Sequence, residues 1–231
     1  MISKQKFVTS ILDFFLPRCC PSCKKKLETD EKVICKDCLS SIQVATEERI
    51  QFEYERKFAK DKFISGFYSH FIFEKEKALQ QLIHSLKYEK RFQNGIFLGE
   101  IVGSAIKERM NEWLIDYLIP VPLHSLKKAE RGYNQSFYIS IGISNQTGIP
   151  IKQNLLKRLR PTNSQTTMTF LERKENVEGA FSAEKKNKLT GKNFLLVDDV
   201  ITTGATTSEC AKALLKKCGS KVYAISVAIA D

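Results

Sequence analysis

Apolar residues cluster in short runs through the second half of the chain, and stretches with helical periodicity separate these runs. The runs at 194–197 and 221–229 are typical of strands that are buried on both faces of a parallel sheet. Between them, the segment 206–218 has the spacing of a helix, with cations in its last turn. This order of strand, helix and strand predicts a right-handed βαβ unit.

The same alternation continues upstream. The aromatic, β-prone run at 63–73 predicts an edge strand, and the run at 117–121 predicts a short buried strand that is ended by prolines. Apolar residues at helical spacing over 79–86, and amphipathic segments at 95–110 and 133–145, predict three helices. We therefore predict an α/β fold, with a mainly parallel, twisted sheet flanked by helices.

An acidic pair, Asp198 and Asp199, directly follows the strand at 194–197. Backbone N–H groups of a small or hydroxylated turn can converge on an anion at the positive end of the next helix, so the next residues predict a phosphate-binding loop. A phosphate should not face two carboxylates directly, which favours ribose hydroxyls, or Mg²⁺ with a pyrophosphate, between them. The residues of the loop are Thr202, Thr203, Gly204, Ala205 and Thr206.

This stretch has two other interpretations. A Walker B strand also ends in acidic residues, but it requires a G-x-x-x-x-G-K-[ST] loop that the sequence lacks. An ordinary buried strand followed by a polar turn is the remaining alternative.

The stretch resembles the phosphoribosyl pyrophosphate (PRPP) signature of type I phosphoribosyltransferases. That resemblance implies that Asp198 and Asp199 hold the ribose hydroxyls, that 202–206 holds the 5′-phosphate, and that Mg²⁺ accompanies the pyrophosphate.

A basic turn follows the strand at 117–121 and leads into the helix at 133–145. In type I phosphoribosyltransferases the corresponding turn is the pyrophosphate loop, so the resemblance implies that this turn faces pyrophosphate, with Arg131 as a supporting cation. A basic surface loop is the alternative. The residues of the turn are Val121, Pro122, Leu123 and His124.

The first half of the segment 157–179 lacks an apolar run long enough for a core element, which indicates a mobile stretch. Arg158 and Arg160 alternate there on an extended backbone, and Gln165 supplies a further donor. We expect this segment to close over an anionic substrate as a lid.

Four cysteines near the N-terminus form two C-x-x-C pairs, Cys20 with Cys23 and Cys35 with Cys38, separated by eleven residues. This spacing lets four thiolates surround one tetrahedral Zn²⁺, so we predict a structural zinc module. A disulfide pair and catalytic thiols are the alternatives. The neighbouring Cys19 would break the two-residue spacing, and its role stays open.

The charge of the chain indicates anionic partners. The 231 residues are 42% apolar, as in a globular protein, and carry a net charge of +11. Basic clusters at 24–26 and 157–160, together with the connector rings Phe52, Tyr54 and Phe58, predict a surface for single-stranded DNA. Packing of those rings against the main domain is the alternative.

We divide the chain into an N-terminal helix and zinc module at 1–45, a charged connector at 46–62, and a phosphoribosyltransferase-like domain at 63–231. The apolar stretch at the N-terminus is short and interrupted by Asp13, so it does not predict a membrane span. We expect a cytoplasmic protein.

The chain resembles the ComF family over nearly its whole length, in the two cysteine pairs and in the motifs LKY, PVPLH, RGYNQ, RLRPTNSQ and LLVDDVITTGAT. The resemblance implies a cytoplasmic protein of natural transformation, with access to the inner face of the membrane through its partners. The implied partners are single-stranded DNA, a helicase-like translocase and a recombination mediator. An active, amidophosphoribosyltransferase-like enzyme with an unidentified amine or base acceptor is the alternative, and a scaffold with a degenerate site ranks last.

Overall fold

The computed structural model describes residues 18–75, 77–160, 177–184, 189–218 and 221–230. Within these ranges, no helix has the length and apolarity needed to cross a membrane. The strands are β1 (Phe67–Ile72), β2 (Tyr117–Pro120), β3 (Leu156–Arg158), β4 (Phe181–Ala183), β5 (Phe194–Ile201) and β6 (Val222–Ile229). The helices are α1 (Lys36–Ser40), α2 (Glu47–Tyr54), α3 (Ala78–Tyr88), α4 (Phe92–Trp113), α5 (Ser125–Arg131), α6 (Gln135–Thr147) and α7 (Ala205–Cys218), with a π-helical segment (Glu55–Ala59) after α2.

Four strands form the main sheet in the order β1-β6-β5-β2, and each neighbouring pair is parallel. All eight residues of β6 are buried, which explains why its sequence is a continuous apolar run. β1 lies at one edge, as the aromatic run at 63–73 predicted. The predicted parallel sheet flanked by helices is confirmed. Strands β3 and β4 form a separate antiparallel pair.

Helices α4 and α6 pack closely against each other beside the sheet. A Cβ added to Gly99 would lie 2.1 Å from the carbonyl oxygen of Ile139, and one added to Gly142 would lie 2.0 Å from the carbonyl oxygen of Ile96. Both positions therefore require glycine. This close packing fixes the N-terminal end of α6 relative to the sheet edge on which the candidate site lies.

The turn after β2, predicted as a basic loop, contains the short helix α5. The Nδ1 atom of His124 accepts a hydrogen bond from the backbone N–H of Leu126 at 3.3 Å and caps the helix. Gly132, with φ at 81°, ends it in the left-handed conformation. No residue of α5 is buried, so it lacks the apolar periodicity by which we predicted the other helices.

The charged segment 46–62 is mostly helical, and its three aromatic residues have different environments. Phe58 is only 1% exposed and its ring centroid lies 5.4 Å from that of Phe67 in β1. Tyr54 is partly buried, whereas Phe52 is 56% exposed. Phe58 thus belongs to the core, as the alternative interpretation of these rings required, and Phe52 is the accessible one.

Candidate functional site

The carboxyl ends of β2 and β5 meet at one edge of the sheet and form the floor of a cleft. The backbone N–H of Val121 donates to the carbonyl oxygen of Val197 at 2.9 Å, which holds the turn after β2 beside the acidic pair. The cleft has a volume of about 400 Å³. Ligands of open parallel sheets commonly bind in this position. The lining residues include Phe73, Lys87, Val121, Pro122, Leu123, Lys127, Arg158, Asp198, Asp199, Thr202, Thr203, Gly204, Ala205 and Thr206.

The acidic pair is held by groups from two helices. The Nζ atom of Lys87, in the last turn of α3, lies 2.9 Å from Oδ2 of Asp199. The hydroxyl of Ser136, in the first turn of α6, donates to Oδ1 of Asp198 at 3.1 Å. The backbone N–H of Asp199 donates to the same Oδ1 atom at 2.9 Å, so this carboxylate has a fixed orientation.

Burial and the neighbouring charge of Asp199 raise the pKa of Asp198 to about 7, although Lys87 and Ser136 act in the opposite direction. The carboxyl pair therefore resists carrying two full negative charges near neutral pH. A cation or several hydroxyl donors at this place would favour the fully ionised pair.

The loop after β5 rests on the π-helical segment. Gly204 has φ at 77°, and a Cβ added there would lie 2.7 Å from Cε1 of Phe58. The loop leads into α7, which begins at Ala205 and runs for 14 residues. The N–H groups of the first turn and the threonine hydroxyls lie at the positive end of this helix, which is suited to an anion.

Among the residues that the structure describes, three cations line the cleft from three different segments: Lys87 from α3, Lys127 from α5 and Arg158 from β3. Burial lowers the pKa of Lys127, and the nearby charges of Arg158, Arg131 and Lys87 lower it further. Burial also lowers the pKa of Arg158, whose guanidinium lies 5.2 Å from the centre of the Phe181 ring. Cations that repel one another in this way indicate a place for an anion of more than one charge.

The remaining predicted residues lie elsewhere. The ring of His124 caps α5, and Arg131 donates to Oε1 of Gln135 at 3.0 Å. Arg160 donates to the carbonyl oxygen of Glu178. The lining of the cleft includes none of these three side chains. Of the residues predicted for a lid, Arg158 lines the cleft, whereas Gln165 lies outside the described residues.

Sequence reasoning did not single out two residues that hold the acidic pair. Neither Lys87 nor Ser136 is among the predicted site residues. The available signals were the LKY and RGYNQS motifs. Asn134 also contributes: its amide donates to the carbonyl oxygen of Val121 at 3.0 Å, and its Oδ1 atom accepts from the N–H of Ser136 at 3.1 Å. It thereby joins the turn after β2 to the start of α6.

The four cysteines of the two C-x-x-C pairs form a compact group at the other end of the chain. The Sγ atoms of Cys20, Cys23, Cys35 and Cys38 all lie within 4.8 Å of one another. Burial acts to raise the pKa of Cys20, but N–H groups of Cys35, Cys23 and Ser22 outweigh it and lower the pKa to about 7. The N–H of Cys38 acts to lower the pKa of Cys35, but burial and hydrogen bonds with neighbouring thiols outweigh it and raise the pKa to about 12. Burial also raises the pKa of Cys38, so these three thiols do not ionise equally. The short distances between the four sulfur atoms are what fits a tetrahedral zinc ion.

The other described cysteine side chains lie away from this group. Cys19 pairs through its backbone with Lys26 in an antiparallel bridge, which leaves Cys20 in the metal-binding position. Cys210 is fully buried in α7.

A family model described as Phosphoribosyl transferase domain matches residues 124–231, which include the acidic pair and the loop after β5. Competence protein F of Haemophilus influenzae is 35% identical over 145 residues, which are 61% of this chain and 63% of that protein. DNA utilization protein YhgH of Escherichia coli is 30% identical over 141 residues, which are 60% of this chain and 61% of that protein. The chain thus spans less than two thirds of the length of these relatives.

Two further similarities are more limited. Competence protein ComFC of Bacillus subtilis is 31% identical over 101 residues, which are 43% of this chain and 38% of that protein. Among solved structures, the glutamine PRPP amidotransferase of B. subtilis aligns at 22% identity with a TM-score of 0.38, covering 58% of this chain and 26% of that one. The family model and the curated relatives thus support a phosphoribosyltransferase-like domain in a chain that is similar to the competence proteins F and ComFC.

Proposed function

We propose that this protein binds PRPP, or a related phosphoribosyl ligand, together with Mg²⁺ in the cleft at the carboxyl ends of β2 and β5. The observation that carries the proposal is that an acidic pair, a phosphate-type loop at a helix N-terminus and three cations face one cavity of about 400 Å³. A ligand with vicinal hydroxyls and two separate phosphate groups matches all three features.

Each part of such a ligand has a partner in the cleft. The loop at 202–206 would take the 5′-phosphate through N–H groups and threonine hydroxyls, and the carboxylates of Asp198 and Asp199 would accept from the ribose hydroxyls. The pyrophosphate would extend towards the turn after β2, where Lys127 and Arg158 lie. Mg²⁺ bound to the pyrophosphate would supply further positive charge close to the acidic pair.

The wider role that we propose is the handling of DNA during natural transformation, in the cytoplasm. Relatives of this chain are named Competence protein F and DNA utilization protein, and the chain itself is strongly basic, at +11. Single-stranded DNA is the proposed macromolecular partner, beside a helicase-like translocase and a recombination mediator. The zinc module would be structural, since 18–45 is too short for a core of its own.

Turnover of PRPP is the second candidate, because the acidic pair and the threonine loop are both intact. In that reaction an amine or base would form a bond to C1 of the ribose, while the bond from C1 to the pyrophosphate oxygen breaks and pyrophosphate leaves. Release of pyrophosphate in the presence of ammonia, free bases or DNA ends would support this candidate. Binding without release would favour a structural or regulatory ligand.

Thermal unfolding tests the proposal. Mg²⁺ with PRPP should raise the melting temperature, because a ligand that binds only the folded state stabilises it by mass action. Asp199→Ala and Thr203→Ala should abolish that shift, whereas Thr147→Ala, at the other end of α6, should retain it. A shift of equal size in all four proteins would place the ligand elsewhere, and no shift in the unmodified protein would refute the proposal.

A further inference from the structure

A cluster of aromatic rings lies where the end of α3 meets the beginnings of α4 and α6, next to the cleft. The centroid of the Tyr138 ring lies 5.0 Å from that of Phe92, 5.2 Å from that of Tyr133 and 5.6 Å from that of Phe137. Tyr88 lies at the last turn of α3, where it contacts His84 at a centroid distance of 4.8 Å. We call Tyr88, Phe92, Tyr133, Phe137 and Tyr138 the ring patch.

The ring patch is accessible to solvent. Tyr88 is 55% exposed and Phe92 is 39% exposed, and Phe137 and Tyr138 are only partly buried. Single exposed apolar residues are ordinary on protein surfaces, but four rings that meet at Tyr138, with a fifth exposed ring at Tyr88, are not explained by chance exposure. Such a group indicates a surface that another molecule covers.

Positive charge surrounds these rings. The guanidinium of Arg131 lies 5.3 Å from the centre of the Tyr88 ring, and Lys90 and Arg91 are exposed at the corner between α3 and α4. Glu89, an acidic residue at that corner, lies 3.2 Å from Arg91 and offsets its charge. Lys90 and Arg131 keep the net charge around the rings positive. The partner should therefore be an anion that also presents flat, apolar faces.

The ring patch is continuous with the cleft. Tyr88 directly follows Lys87, whose ammonium contacts Asp199 inside the cleft. The hydroxyl of Tyr133 donates to the carbonyl oxygen of Leu86 in the same turn of α3. A chain bound across the rings would thus pass beside the opening of the ligand site.

We propose that the ring patch binds the unpaired bases of single-stranded nucleic acid by stacking, while Arg131, Lys90 and Arg91 contact its phosphates. This inference rests on the role in DNA handling proposed above, but not on PRPP binding. Single strands fit because their bases expose both faces to aromatic rings, whereas the bases of a duplex are stacked inside it. A second copy of this chain is a poorer match, because it would carry the same net charge of +11.

The test is the fluorescence anisotropy of a labelled oligo-dT in low salt. The comparison is the same labelled strand annealed to oligo-dA. Replacing both Tyr88 and Phe92 by alanine should weaken binding of the single strand by about 10- to 100-fold, since base–aromatic stacking contributes at each ring. Tyr88→Trp should retain the affinity. Phe52→Ala is the matched control, because Phe52 is 56% exposed in α2 and also lies near an arginine, Arg49, at 6.0 Å, yet it lies outside the ring patch. It should bind like the unmodified protein.

Four outcomes would overturn this inference. The first is an unmodified protein that does not bind the single strand, and the second is a Tyr88→Ala/Phe92→Ala protein that binds it equally well. The third is loss of affinity in Phe52→Ala alone, which would move the DNA to the connector. The fourth is an unmodified protein that sediments as a dimer while the double variant sediments as a monomer, which would make the ring patch a self-interface; we expect the same oligomeric state for both. The PRPP melting shift, measured in parallel, should persist in the double variant, so failure of one proposal is distinguishable from failure of the other.

Discussion

The ammonium of Lys87 lies 2.9 Å from Oδ2 of Asp199, and this contact joins the last turn of α3 to the carboxyl end of β5. The ion pair is largely shielded from water, since the side chains are 22% and 13% exposed. Lys87 therefore compensates a carboxylate that would otherwise stand beside Asp198 with its charge unpaired. The same ammonium faces the cavity, where it adds to the charge of Lys127 and Arg158.

Replacing Lys87 by glutamine should weaken the binding of Mg²⁺-PRPP by about 10- to 100-fold. The change removes one cation from the cleft and also leaves Asp199 uncompensated, and both effects repel an anionic ligand. Isothermal titration calorimetry measures the affinity. Lys90→Gln is the matched control, because Lys90 belongs to the same end of α3 but does not line the cleft. Equal affinities for the two variants would show that Lys87 does not serve the ligand.

Replacing Gly204 by alanine should impair both stability and ligand binding. A left-handed backbone costs an alanine about 1–2 kcal/mol, and a Cβ at this position would also lie 2.7 Å from Cε1 of Phe58. The loop must shift to relieve the contact, which disturbs the phosphate site. Gly148→Ala isolates the first effect, because φ there is 73° and nothing lies within 4 Å of the added Cβ. Chemical denaturation should give a greater loss for Gly204→Ala, and a PRPP affinity that is reduced in this variant only.

The raised pKa of Asp198 predicts how stability varies with pH. Its folded pKa is about 7, against a usual value of 3.8, so between these values the folded protein keeps a proton that the unfolded chain loses. The contribution of Asp198 to the free energy of unfolding is therefore fully present at low pH and is lost as the pH rises to about 7. Asp198→Asn should raise the melting temperature of the ligand-free protein by roughly a few degrees at about pH 8, and the gain should shrink towards about pH 4.

Asp116→Asn is the control, because its effect on the melting temperature should have the opposite sign to that of Asp198→Asn. Burial acts to raise the pKa of Asp116, but the N–H of Asn193 and the ammonium of Lys192 outweigh it and lower the pKa. Its stabilising contribution is therefore present at neutral pH and is lost only on acidification. Asp116→Asn should lower the melting temperature at about pH 8. A fall of similar size for both variants would contradict the charge assignment at Asp198.

The purified protein should contain about one zinc ion per chain, bound by Cys20, Cys23, Cys35 and Cys38. Elemental analysis of a protein with both Cys35→Ser and Cys38→Ser should show no zinc, and limited proteolysis should then remove the first 45 residues or so while the main domain persists. Cys19→Ser should retain the metal. Zinc that survives the double substitution, or an unmodified protein without zinc under reducing conditions, would refute the metal site.

Features encoded by contiguous residues were predictable from the sequence. The apolar run before Asp198, the acidic pair and the loop that follows lie within one stretch, so the strand, turn and helix can be assigned without knowledge of the rest of the chain. The same holds for the two C-x-x-C pairs, whose spacing predicted the group of four sulfur atoms that lie within 4.8 Å of one another.

Features that depend on packing between distant segments were not predictable. Lys87 and Ser136 reach the acidic pair because α3 and α6 pack at the carboxyl edge of the sheet. The LKY and RGYNQS motifs contain these residues but do not show which side chains they contact. The aromatic residues show the same limit. Phe52 and Phe58 look alike in a charged segment, but the π-helical segment turns Phe58 into the core beneath Gly204 and leaves Phe52 in solvent.

The most direct measurement of the central claim is a crystal structure of the protein soaked with Mg²⁺ and PRPP. We expect the loop at 202–206 to hold the 5′-phosphate and the carboxylates of Asp198 and Asp199 to accept hydrogen bonds from the ribose hydroxyls. The pyrophosphate should lie beside Lys127 and Arg158. Ligand density at any other place, or a cleft without ligand at a PRPP concentration that raises the melting temperature, would contradict the central claim.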